Sequence, residues 1–268
     1  MHLPMTDTGP LQVYRQSASH GAEADLELAL SLLRRTRATS RTRDDQGPAD
    51  RGIPPLLRLY RPEPTVAFGQ RDERLPGFDD AAQVCRDEGF TPLVRRAGGR
   101  AAAYHQGSLV IDHIEPDPDP IRHSQRRFTE FGELLREALE IAGVTARLGP
   151  IPGEYCPGDH SVHGISREQP DLRIKLIGTA QRVISSGWLF SSSIIVEDGA
   201  PIRRVLSGAY AALGIPWDPL TAGAITDLGV QTTVEQIEAA VLEVYRRRFT
   251  LEEIDEPSPI PSSAAAHG

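Results

Sequence analysis

The chain has 268 residues, enough for one large α/β domain or two small ones, and its 39% hydrophobic and 25% charged content is ordinary for a globular protein. Its 29 basic and 37 acidic residues give a formal charge of −8, which excludes a general nucleic-acid surface, because that needs clustered positive charge against phosphates. Two cysteines are too few for a disulfide framework, no apolar run reaches the roughly 18 residues of a membrane span, and residues 1–10 lack the basic-then-apolar pattern of a signal peptide. The expected compartment is the cytoplasm, with neither membrane nor nucleic acid as partner.

Along the chain, residues 1–10 read as a flexible N-terminus. Ala22–Arg35 (AEADLELALSLLRR) is rich in helix formers and basic at its end, where positive charge meets the helix carbonyls. Thr36–Gly52 is polar and reads as a surface loop. Leu56–Tyr60 (LLRLY) and Thr65–Phe68 are expected strands on either side of the Pro62–Pro64 turn. A helix over Asp79–Glu88 stops at Gly89, and strands are expected over Thr91–Arg95 and Leu109–His113. Phe128, Phe131, Leu135 and Leu139 give Ile121–Ala142 the three-and-four spacing of an amphipathic helix. Further strands are expected at Ser161–His163, Leu172–Ile177 and Trp188–Val196. Thr232-x-x-Glu235 reads as a capping box ahead of Val234, Ile237, Val241 and Tyr245. The Pro/Ser/Ala-rich residues 256–268 read as a disordered tail. The absence of a strict βαβ alternation points to an α+β fold, a mixed and largely antiparallel sheet with packed helices.

Several residues have chemical potential of their own. Gly98 and Gly99 let the main chain approach a ligand, and Ala101–Ala103 keep the next strand slim beside an aliphatic tail. Arg95 or Arg96 would clamp a phosphate or carboxylate with a planar donor fork. Cys156 lies in a turn-forming stretch, GEYCPGD, and reads either as an exposed thiol or as an incidental cysteine. Cys85 reads as core. His105 either orients a pocket or satisfies a buried main-chain group. His160 and His163 flank the Cys156 stretch without the spacing of a closed metal site, so no metal is expected.

Four segments together, in order, resemble the lipoate–protein ligase and octanoyltransferase superfamily, whose catalytic domain is of the biotin/lipoate protein ligase type. They are the opening helix at Ala22–Arg35, the strand–proline turn–strand LLRLYRPEPTVAFGQ at Leu56–Gln70, the signature-like VRRAGGRAAAYHQGSL at Val94–Leu109, and RIKLIGTAQ at Arg173–Gln181. The third segment departs from the family: the usual glycine triplet falls on Gly99, Arg100 and Ala101, and the acidic residue after the histidine is Gln106. The resemblance implies a single catalytic domain over 11–255. It implies that Lys175 contacts the acyl carbonyl and that Cys156 is a nucleophile forming an acyl thioester. Arg95, Arg96, Gly98, Gly99, His105, Gly178 and Ala180 would be the substrate-binding set. The implied reaction moves octanoyl or lipoyl onto a lysine of a lipoyl-carrier protein, such as a glycine cleavage H protein or a 2-oxoacid dehydrogenase acyltransferase subunit. An acyl carrier protein is a possible donor, and no cofactor is required. The alternative is an ATP- and Mg-dependent ligase working through an acyl-adenylate; a non-catalytic acyl- or carrier-binding relative is the weaker one.

Overall fold

The computed structural model describes residues 9–37 and 53–257. All but the first two residues of the expected Thr36–Gly52 loop and nearly all of both expected flexible ends therefore lie outside the described residues. In chain order come β1 (Leu11–Arg15), α1 (Ala22–Arg34), β2 (Leu56–Tyr60), β3 (Thr65–Phe68), α2 (Phe78–Asp87), β4 (Thr91–Val94), β5 (Ala102–Tyr104) and β6 (Ser108–Pro116). They are followed by α3 (Ser124–Ile141), β7 (Ala146–Leu148), β8 (Val162–Ile165), β9 (Arg173–Ile184), β10 (Gly187–Ile195), α4 (Gly199–Ala212), two short 3₁₀ turns, α5 (Val234–Arg246) and β11 (Leu251–Ile254).

Eight strands form one sheet in the order β11-β1-β2-β6-β10-β9-β8-β7, and β4-β3-β5 form a second, smaller one. From β2 onward every pairing in the large sheet is antiparallel, while β1 lies parallel to both β2 and β11. This is the expected α+β architecture with a mixed, mostly antiparallel sheet. No helix among the described residues is long and apolar enough to cross a membrane.

Alternation along the strands explains where the layers sit. Leu57 and Leu59 of β2 and Leu109 and Ile111 of β6 enter the main core beside Phe131, Leu135 and Leu139 of α3 and Ile237 and Val241 of α5. A second core joins Val66 and Phe68 of β3 to Ala81 and Cys85 of α2 and to Ile202, Val205 and Leu206 of α4. Burial pushes the Cys85 thiol up to about 12, in keeping with a packing role.

The face of β2 opposite Leu57 carries Arg58, which is fully buried. Its guanidinium donates to Asp25 at 2.8 Å, to Asp112 at 3.1 Å and to the Gln16 side-chain oxygen at 2.6 and 2.8 Å. A buried cation is tolerated only with such a full set of acceptors. Burial raises the Asp112 carboxyl against the opposing pull of Arg58. This cluster ties α1 to β2 and β6 and so sets one wall of the space described below.

Two expectations are corrected. The α5 cap sits one residue later than the sequence suggests: Thr233 accepts from the Gln236 N–H, and the Gln236 side chain reaches back to the Thr233 N–H. Either threonine offers the same hydroxyl, and the position of the first helical turn decides between them. The strand expected over Leu172–Ile177 is the start of a twelve-residue β9, which pairs with β8 along Arg173–Ile177 and with β10 from Ile177 to Ile184.

Candidate active site

A cavity of about 1320 Å³ opens between the two sheets and α1. It exceeds the 300–1,000 Å³ of most small-molecule sites. Arg95, Arg96, Gly98, Gly99, Cys156, Lys175, Gly178 and Ala180 all line it. These residues come from three places in the chain: the loop after β4, the turn before β8, and neighbouring positions on β9.

Cys156 is the centre of this arrangement. Its φ is +42°, a left-handed conformation uncommon for a residue with a Cβ. Three contacts hold it there. Its N–H donates to the Tyr210 hydroxyl at 2.8 Å, its carbonyl accepts from Lys175 at 2.7 Å, and its sulfur accepts the Arg100 N–H at 3.1 Å. The Arg95 guanidinium stands 3.7 Å from the same sulfur. Tyr210 donates onward to the Ala101 carbonyl at 2.9 Å, so one phenol on α4 couples the cysteine turn to the glycine-rich loop. A main-chain N–H and a guanidinium are thus both directed at the sulfur.

Lys175 is only 2% exposed. Its ammonium has three hydrogens, and three acceptors take them: Glu154 at 3.1 Å, the Tyr155 carbonyl at 3.0 Å and the Cys156 carbonyl at 2.7 Å. In this state the lysine braces the cysteine turn. Glu154, itself 4% exposed, also accepts from the N–H groups of Ile151 and Gly158 and from the Ser161 hydroxyl. Sequence reasoning missed Glu154, because an acidic residue in a Gly/Pro turn ordinarily reads as solvated.

Arg95 is similarly committed. It donates to the carbonyls of Ala67 (3.0 Å), Gly98 (3.1 Å) and Arg100 (2.8 Å), which curls the 95–100 loop around its guanidinium. Arg96 is exposed at the rim, where its carbonyl accepts from Arg182 at 3.2 Å. The apparent loss of a glycine at position 100 is accommodated simply. The Arg100 side chain turns onto buried Asp72 at 2.9 Å, Asp72 also accepts the Gly69 N–H, and only the Arg100 main chain faces the sulfur. Gln106 is exposed and bonded to Glu63, away from the cavity.

His105 is not in the lining. Its ring accepts the Gly107 N–H at 2.8 Å and lies 2.9 Å from the Asp198 carbonyl, which is the second of the two readings its sequence context allowed.

Gly99 is required by geometry. Its φ is +102°, and a Cβ there would meet the Arg95 guanidinium at 2.5 Å and the Cys156 sulfur at 2.9 Å. Gly99→Val is therefore expected to displace the thiol as well as narrow the cavity, reducing iodoacetamide reactivity at Cys156 by about an order of magnitude or more. A wild-type alkylation rate in a folded variant would count against this geometry. Gly98, where a Cβ meets nothing within 4 Å, serves as the control.

The comparisons agree with this architecture. An octanoyl-[GcvH]:protein N-octanoyltransferase of Geobacillus kaustophilus is 26% identical over 202 residues, covering 74% of this chain and 66% of the relative. The enzyme of the same name from Bacillus velezensis is 29% identical over 202 residues, covering 75% and 66%. The chain thus spans just under two thirds of the length of these relatives. A crystal structure of lipoate-protein ligase A bound with ATP superposes with a TM-score of 0.64 at 17% identity, covering 92% of this chain and 90% of that one, a likeness of fold. Residues 38–246 match the sequence model of the lipoyl protein ligase A/B catalytic domain, and the chain belongs to that family.

Proposed function

We propose that residues 11–255 form one catalytic domain that transfers an octanoyl or lipoyl group to a lysine of a lipoyl-carrier protein through a thioester on Cys156. The observation that carries this reading is the Cys156 sulfur itself, on a strained turn at the cavity, with the Arg100 N–H at 3.1 Å and the Arg95 guanidinium at 3.7 Å. The names of the similar transferases point the same way.

In the first half-reaction the Cys156 thiolate attacks the carbonyl of a carrier-protein thioester. The new S–C bond forms and the donor thiolate leaves. In the second, the acceptor lysine amine attacks, an amide forms and the Cys156 thiolate is released. The Lys175–Glu154 pair holds the turn rigid through both steps, and the slim wall of Gly178 and Ala180 accommodates the acyl chain. The acceptors that fit are a glycine cleavage H protein or a 2-oxoacid dehydrogenase acyltransferase subunit, with acyl carrier protein or an H protein as donor. This route needs no cofactor. In the adenylate alternative, Mg-ATP would meet the rim arginines Arg96 and Arg182.

The test is intact-mass analysis after incubation with octanoyl-carrier protein, run beside octanoate or lipoate with Mg-ATP. The expected result is a covalent octanoyl adduct from the carrier alone, removed by hydroxylamine. Product formation only in the ATP arm, with no adduct from the carrier, would establish the ligase reading instead.

A further inference from the structure

Two tyrosines in the cavity wall are not used by the transfer chemistry above. Tyr60 and Tyr104 are 3% and 8% exposed, and both line the cavity. Neither phenol hydroxyl bonds to another described residue, and neither is sealed off: the sealed, unpartnered side-chain atoms among the described residues belong to His160 and Arg248. Nearly every buried polar group in a native protein has a partner, so two open hydroxyls in one cavity mark a place where a ligand supplies it. The Arg58 guanidinium lies 3.9 Å from the centre of the Tyr60 ring and holds that ring in place.

Two tracks of small side chains lead from the thiol to these hydroxyls. On the small sheet, the Arg100 N–H meets the Cys156 sulfur at 3.1 Å, and the next residues lining the cavity are Ala102 and then Tyr104. From Arg100 to Tyr104, extended chain reaches about 13 Å. On the large sheet, Gly178 lies just beyond Lys175 on β9, and the strand register continues its row through Ser193 and Val110 to Tyr60. Those strand spacings add up to about 14 Å. An extended eight-carbon acyl chain spans roughly 9 Å from carbonyl to tip, a zigzag of about 1.5 Å bonds. A thioester on Cys156 therefore carries its tip to the two phenol side chains.

We propose that Tyr60 and Tyr104 form the subsite for the far end of the acyl group and select a dithiolane over a methyl end, making lipoyl the preferred group and octanoyl the lesser one. This rests on the acyl site proposed above and names what that site prefers. A ring sulfur packs favourably beside an aromatic ring and accepts a weak hydrogen bond from a hydroxyl. An octanoyl methyl displaces water from both hydroxyls and returns no acceptor, which leaves two donors unpaired. Burial, with Asp112 and Tyr104 adding to it, pushes the Tyr60 phenol well above its usual value, and burial raises Tyr104 against the pull of Arg95. Both therefore remain neutral donors at physiological pH.

The test measures binding of free lipoate, octanoate and cyclopentylpentanoate by titration calorimetry. The last has a ring of the dithiolane's shape without its sulfurs. Wild type should bind lipoate about tenfold more tightly than either of the others, and the double variant Tyr60→Phe, Tyr104→Phe should bring all three within about threefold. Phenylalanine keeps both rings, so the unfolding midpoint should hold. In parallel, equal amounts of lipoyl- and octanoyl-carrier protein compete for Cys156, and the two adducts are counted by intact mass. Their ratio should favour lipoyl in wild type and fall in the double variant, and any inactive fraction cancels from it. Equal wild-type affinities for lipoate and octanoate overturn the subsite. So does cyclopentylpentanoate binding as tightly as lipoate, which would make the selection one of ring shape, and so does a double variant that keeps the wild-type preference. A wild type that prefers lipoate in solution but takes up neither acyl group from a carrier overturns the transferase reading and supports the subsite. A wild type that binds none of the acids and takes up neither group overturns both.

Discussion

Cys156→Ser is expected to remove thioester-dependent transfer while leaving the fold and the cavity in place. The serine oxygen occupies the position of the sulfur and can accept the same Arg100 N–H, and the Tyr210 and Lys175 contacts run to the main chain, which the substitution does not alter. What changes is nucleophilicity. A hydroxyl stays protonated at neutral pH, and neither Arg95 nor the Arg100 N–H can take its proton. Losing a catalytic nucleophile registers as roughly 10³-fold or more in turnover. Transfer from octanoyl-carrier protein should therefore fall to background, with the unfolding midpoint unchanged. The wild-type thiol should also be protected from iodoacetamide by bound acyl substrate, whereas Cys85, fully buried and with its thiol pushed up to about 12, should stay unlabelled throughout. A serine variant that retains ATP-dependent activity, in a protein whose thiol shows no substrate protection, would assign the chemistry to an adenylate.

Much of the fold is readable locally, because periodicity and turn residues are local properties. The strands at Leu56–Tyr60 and Thr65–Phe68 and the helices α1, α2 and α3 follow from spacing and composition. α4 was equally readable: Ile202, Val205, Leu206, Ala209 and Tyr210 recur at helical spacing, but the Gly199–Ala200–Pro201 start hides the onset. β1, β5, β7 and β11, of three to five residues, are not singled out in the sequence, and length alone does not explain it, since β2 and β3 have five and four.

The site was legible only in part, for a different reason. Glycine-rich and lysine motifs are contiguous, so Gly98, Gly99 and Lys175 are visible along the chain. Their partners are contributed from far away. Arg58 interrupts an apolar strand, and nothing near it in sequence announces that Asp25 and Asp112 neutralise it while Gln16 accepts two of its hydrogen bonds. Tyr210 reaches Cys156 and Ala101 across 54 and 109 residues. Such coincidences are properties of the folded chain. The same holds for Arg100, whose departure from the glycine pattern looks disruptive until its side chain is seen on Asp72.

Lys175→Met is expected to lower stability as well as abolish transfer. The substitution keeps the aliphatic volume but removes the cation from a Glu154 carboxylate whose side chain has no solvent exposure, and it strips the donor from the Tyr155 and Cys156 carbonyls. Removing one partner of a buried ion pair costs about 3–5 kcal/mol. That is a large share of a typical 5–15 kcal/mol. The loss should appear in denaturant unfolding as a lower midpoint at unchanged slope. Adding Glu154→Gln to Lys175→Met removes the stranded charge, and an amide oxygen can still accept from the Gly158 N–H and the Ser161 hydroxyl. The double variant should therefore be more stable than the sum of the single effects predicts, by roughly 1–3 kcal/mol of coupling. Transfer should not return with stability, because the Cys156 carbonyl still lacks its tether and the left-handed turn that presents the sulfur is no longer braced. Unfolding of Lys175→Met at the wild-type midpoint would show that the pair does not brace the turn. A double variant that recovered transfer along with stability would confine Lys175 to holding the fold.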